Sequence, residues 1–128
     1  MFNRTSPTLL GMATILIADP DPATRSLLEV LVLRLGHRPI GQWELPEDEV
    51  PDLMLLEPAS GTDMRHALRL RGRFPELPIL CVSIDPTCPE LEELGVAGHV
   101  MKPFRRSQLE DALETVFAQA PEAFEAQH

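Results

Sequence analysis

Five polar side chains of this 128-residue chain stand at or just beyond the ends of short apolar runs. Asp19 follows ATILIA, with Asp21 two residues further on; Glu57 follows DLMLL, Ser83 ends PILCVS, and Lys102 follows GHVM with Pro103 behind it. Carboxylates, a hydroxyl and an ammonium of this kind can pair with one another or offer hard oxygens to a cation. Other chemistries lack their residues. There is no G-x-G-x-x-G, no P-loop, no G-x-S-x-G elbow and no H-E-x-x-H, so an enzyme of those classes is not expected. His99 has no second His or Cys at ligand spacing, which leaves a zinc site unsupported.

The elements that must bring these residues together alternate along the chain. Residues 13–18, 52–56, 78–83 and 98–101 are short runs without polar alternation, as expected for strands covered on both faces. Residues 38–43 make a weaker strand. Asp21 can cap a helix whose first residue is Pro22, with Leu27, Leu28, Leu31 and Leu35 as its apolar face and Gly36 as its stop. Further helices are expected over 62–73, where Met64, Ala67, Leu68 and Leu70 turn inward, and over 89–94. A last helix begins at Ser107, with Leu109, Leu113, Val116 and Phe117 at core spacing. Residues 44–51 are too short and proline-rich for more than a turn. Strands alternating with helices imply βαβ units and a doubly wound α/β fold with a parallel sheet. Its site lies beyond the carboxyl ends of the strands. Residues 1–12 read as a flexible leader, 13–120 as one domain, and 121–128 as a flexible tail beginning at Pro121; Met12 is an alternative start.

Composition narrows the function. Twenty acidic against eleven basic residues give a net charge of −9, a field that repels phosphate backbones and anionic membranes. No nucleic-acid or membrane partner is therefore expected, and no apolar run reaches the roughly 20 residues of a membrane span. Cys81 and Cys88 form no disulfide framework, and no secretory signal is evident. The chain reads as cytoplasmic.

The segments ILIADPDPATRSLL, DLMLLEP, PILCVS and GVAGHVMKPF, in this order, resemble the receiver domain of bacterial two-component response regulators. The likeness covers about residues 13–118, and Lys-Pro-Phe after the Gly-containing turn is its most specific piece. It implies a flavodoxin-like fold with strand order 2-1-3-4-5, its second helix here reduced or absent. It also implies phosphoryl transfer from a kinase histidine to an aspartate after strand three, with Mg²⁺ held by an acidic pair after strand one. A hydroxyl after strand four and a lysine after strand five contact the phosphoryl group, and an aromatic residue on strand five reports the switch.

Residue by residue, the likeness maps unevenly. Asp19 matches the first acid and Pro20 stands where the second should be; Asp21 serves as a helix cap or as a substitute member of the acidic pocket. Glu57 stands at the phosphoacceptor position. Ser83, Lys102 and Pro103 match, and His99 takes the place of the switch aromatic, as a partly buried strand histidine. Mg²⁺ demands near-ideal octahedral oxygens, and a ~1 Å misplacement can cost ~100-fold in rate. Proline for one ligand and a lengthened acid for another point to a degenerate receiver, or pseudo-receiver, that acts by protein–protein interaction without phosphorylation or cofactor. Any metal would fall to Asp19 and Glu57. Glu57 is expected to pair with Lys102 and accept a hydrogen bond from Ser83, either mimicking the active state or only joining two strand ends. The alternative is a working phosphorelay receiver that takes a phosphoryl group, with Mg²⁺, from a histidine kinase. Arg65, Arg69, Arg71 and Arg73 read as a solvated face or a docking surface for an acidic partner. The 89–94 helix, the fifth strand and the last helix form the surface that the resemblance assigns to partners or a homodimer.

Overall fold

The computed structural model describes residues 12–41, 44–58, 61–84 and 90–126. Five strands, β1 (Thr14–Ala18), β2 (Arg38–Gly41), β3 (Leu53–Leu56), β4 (Ile79–Ser83) and β5 (Gly98–Met101), form one parallel sheet in the order β2-β1-β3-β4-β5. Helices α1 (Pro22–Arg34), α2 (Gly61–Arg73), α3 (Glu90–Leu94) and α4 (Arg106–Ala126) separate them. Alternate strand residues divide between two cores. Ile15, Ile17, Leu53, Leu55, Leu80 and Val82 meet α1 and α4; Leu16, Met54, Leu56, Ile79 and Cys81 meet α2 and α3. Central strands covered on both faces have no polar side to show. The expected five-stranded architecture and strand order are observed. Its carboxyl ends all open on one edge, where the polar residues stand.

The local stops follow the sequence. Gly36 takes φ +87°, and its N–H and that of His37 bond back to Leu33 and Val32. This pair of bonds closes α1 on a residue without a Cβ penalty. On α1 the buried residues are Leu28, Leu31 and Val32, with Leu35 partly buried, whereas Leu27 is 49% exposed. The expected inward Leu27 is corrected: Val32 completes the stripe, because a 3.6-residue period aligns it with 28, 31 and 35. The last helix also differs from expectation. It starts at Arg106 and continues through Pro121 to Ala126, since proline's fixed φ is helical and costs the ladder one hydrogen bond. Residues 1–11 of the expected leader, and Trp43 of the expected second strand, lie outside the described residues.

Where a helix between β2 and β3 would cover the sheet, residues 44–52 run as a loop. Leu45 packs with Ile40 against the second core, and Arg38 reaches the Glu49 carboxylate at 2.6 Å. Arg73 donates to the Glu47 carbonyl at 2.7 Å. Arg71 donates to the carbonyls of Leu94 and Pro75, both at 2.8 Å, so it clamps α2 to the end of α3. The arginines expected to share one outward face are thus divided, and two of them fasten loops.

His37 is buried behind α1. Its Nδ1 accepts the Ala13 N–H at 3.0 Å, and its ring lies 5.4 Å from that of Phe117. Burial lowers its pKa from the ordinary 6.5. As pH falls, the unfolded chain therefore takes up this proton before the folded one does. The stabilisation is complete above about 6.5 and is lost as pH falls through the lower folded value. Urea unfolding between pH 7.5 and 5 is expected to show falling stability, and His37→Gln is expected to flatten that slope. Parallel slopes for the two proteins would contradict the assignment.

Candidate functional site

The turn after β1 is built by two aspartates with separate tasks. Asp19 Oδ1 accepts the Asp21 N–H at 2.9 Å, and the Asp19 carbonyl accepts from Arg25 Nη1 at 3.0 Å. Asp21 has extended backbone (φ −82°, ψ 115°) and caps α1 ahead of Pro22. Its Oδ2 accepts the Thr24 N–H at 3.2 Å and the Thr24 hydroxyl at 2.6 Å. These bonds, the side-chain one foremost, hold its pKa below the ordinary value. Asp21 is exposed and caps its helix through Oδ2, and the charge of Lys102 also acts on it; Asp19 is the buried member of the two.

Two backbone bonds continue the sheet into the site. The Glu57 N–H bonds to the Ala18 carbonyl at 2.9 Å, and the Lys102 N–H to the Ser83 carbonyl at 3.0 Å. Asp19, Glu57 and Ser83 are each at most 7% exposed. Lys102 then crosses the end of β4, which separates β5 from β3. Its Nζ donates to Asp19 Oδ2 at 2.8 Å and to Glu57 Oε1 at 2.9 Å. Burial by itself would lower the lysine pKa. The hydrogen bonds and charges of Asp19 and Glu57 outweigh burial and raise it above the ordinary 10.5. The site is a buried carboxylate–ammonium–carboxylate triad.

The expected Glu57–Lys102 pair is present, and Asp19 joins it. Sequence reading places Asp19 in the same pocket but does not pair it with Lys102, because spacing along the chain does not tell how far a flexible lysine reaches. It also missed Arg25, whose only signal is its place one turn into the helix that Asp21 caps. Ser83 lies buried at the same strand edge. His99 and Met101 alternate outward on β5. His99 is exposed rather than partly buried, because Val100 takes the inward side of this edge strand. Pro103 follows Lys102 through a cis peptide. Among the described residues no group of three His, Cys, Asp or Glu side chains is arranged to hold a metal ion. No helix among them is long and apolar enough to cross a membrane. A cavity of about 400 Å³ lined by Arg71, Leu77, Leu94 and Val116 lies at the amino ends of β4 and β5, away from the triad.

Removing one member of a buried ion group strands the others, at about 3–5 kcal/mol. Lys102→Met leaves two buried carboxylates without their shared ammonium and is expected to lose stability of that order in chemical denaturation. Asp19→Asn keeps the ammonium paired with Glu57 and is expected to lose less. Equal losses would show that the two carboxylates do not share one counter-charge.

No protein-family model and no curated protein matches the sequence. Solved structures do match. NtrX from Brucella abortus superposes with a TM-score of 0.79 at 19% identity over 91% of this chain, which spans 30% of that one. The chain thus covers less than a third of the NtrX chains it resembles. A CheY-like response regulator receiver domain from Methanospirillum hungatei gives 0.77 at 15% identity, covering 88% of this chain and 98% of the other. The receiver domain of the sensor histidine kinase PA1611 from Pseudomonas aeruginosa, with a magnesium ion in its active-site cleft, gives 0.69 at 17% identity over 83% and 98%. The strand order, the helix layers and these superpositions together make this chain a flavodoxin-like domain with the receiver fold of response regulators.

Proposed function

We propose that this domain is a signalling module of the receiver type that works by binding other proteins and is not phosphorylated by the ordinary route. The observation that carries the reading is the position of Lys102 Nζ, 2.8 Å from Asp19 and 2.9 Å from Glu57. The carboxylate oxygens that face one another across the pocket already share an ammonium. A divalent cation seeking six oxygens would have to displace it. Pro20 has no side-chain oxygen to offer, and Asp21 commits its Oδ2 to Thr24. This donor set fits Mg²⁺ poorly, in contrast to the magnesium-bound cleft of the PA1611 receiver domain.

Phosphoryl transfer relies on positioning and on cations that neutralise developing charge. Glu57 is lengthened by one methylene relative to aspartate, and its carboxylate is held by the lysine that would otherwise meet a phosphoryl oxygen. The same ion pair holds the ends of β1, β3 and β5 in one arrangement without any modification. The domain on this reading is not an enzyme, and its partners are signalling proteins. The outward face of β5, with His99 and Met101, and the flanking α3 and α4 present the partner surface.

Incubation with acetyl phosphate and Mg²⁺, followed by intact-mass measurement, is expected to give no stoichiometric adduct. The double variant Pro20→Asp/Glu57→Asp is expected to gain one that depends on the metal. A stoichiometric phosphoryl adduct on Glu57 of the unaltered protein would instead establish the phosphorelay reading.

A further inference from the structure

Helix α1 carries a second apolar face, opposite the one in the core. Leu27, Val30 and Leu33 are 49%, 45% and 60% exposed, and no other described element covers them. Ala23 and Ser26 are exposed on the same side. The face has the register of a short heptad seam: Ala23 and Val30 fall at one core position, Ser26 and Leu33 at the other. Glu29 flanks one side of the seam, and Leu27 with Arg34 flanks the other.

We infer that this face pairs with the same face of a second copy of this chain, the two α1 helices running parallel about a two-fold axis. Charge selects both the occupant and the direction. The chain carries a net −9, so two copies repel over most of their surface, yet this face holds a single acid and a single base. In a parallel pair, Glu29 of one copy lies beside Arg34 of the other, five residues on, and the symmetry repeats the contact. That is the flanking salt-bridge pattern of parallel coiled coils. In an antiparallel pair each flank would meet its own kind, Glu29 against Glu29 and Arg34 against Arg34. Neither side chain has an ion-pair partner among the described residues.

Thirteen residues give a helix of about 20 Å, and a contact this small supports weak association, with a Kd on the order of tens of micromolar. Such pairing leaves the triad and the outward face of β5 free, and it does not depend on whether Glu57 is phosphorylated.

Sedimentation equilibrium of the full chain is expected to show a monomer–dimer equilibrium in that range. Leu33→Glu should weaken it at least tenfold while the protein, altered only at an exposed site, keeps its circular dichroism spectrum. Glu29→Arg and Arg34→Glu should each weaken it, and their combination should restore it. In a Cys88→Ser background, Ser26→Cys places two thiols across the parallel seam and should cross-link on mild oxidation. A monomer at millimolar concentration, a dimer indifferent to Leu33→Glu, absence of rescue by the charge swap, or no cross-link at residue 26 would each overturn the inference.

Discussion

Two carboxylates buried at neighbouring strand ends must find a counter-charge inside the protein, because leaving them bare is costly. Lys102 supplies it from 83 residues away in sequence for Asp19 and 45 for Glu57. The arrangement depends on side-chain length. Lys102 starts at the edge strand, passes the end of β4 and reaches β3 and β1, so one ammonium ties together the carboxyl ends of three strands. A shorter cation could not reach both acids. The rest of the pocket is arranged around that reach: the cap at Asp21, the Arg25 bond to the Asp19 carbonyl, and the backbone bonds that extend the sheet to Glu57 and Lys102.

The same pocket illustrates how few atoms separate a cation site from a closed ion pair. A hard divalent ion asks for several oxygens converging on one point. Here the two facing carboxylate oxygens converge on nitrogen, and the residue beside Asp19 is a proline with no oxygen in its side chain. One extra methylene at Glu57 carries its carboxylate towards the lysine. On the proposed reading, each change alone weakens a metal site, and together they offer an alternative neutralisation by Lys102.

Elsewhere the molecule replaces structure with side chains. The segment between β2 and β3 has no helix among the described residues, and Leu45 of that segment packs against the second core in its stead. Arg38, Arg71 and Arg73 fasten loops through acid or carbonyl oxygens. A run of arginines at helical spacing thus contains residues of different kinds. Arg71 is partly buried against carbonyls, and burial lowers its pKa from the ordinary value; Arg69 is exposed.

The sequence by itself determined the fold. Continuous apolar runs, an Asp-Pro cap and a Gly36 stop are local signals, and alternation of strand with helix admits few topologies. It also determined which residue types stand at the strand ends, since chain order and strand direction put them there. What the tertiary structure alone decided was who meets whom. That Lys102 binds Asp19 as well as Glu57, and that Arg71 fastens the second helix to the end of the third, depend on packing distances and rotamers. Those are set by neighbours far apart in the chain, and no periodicity within a segment encodes them.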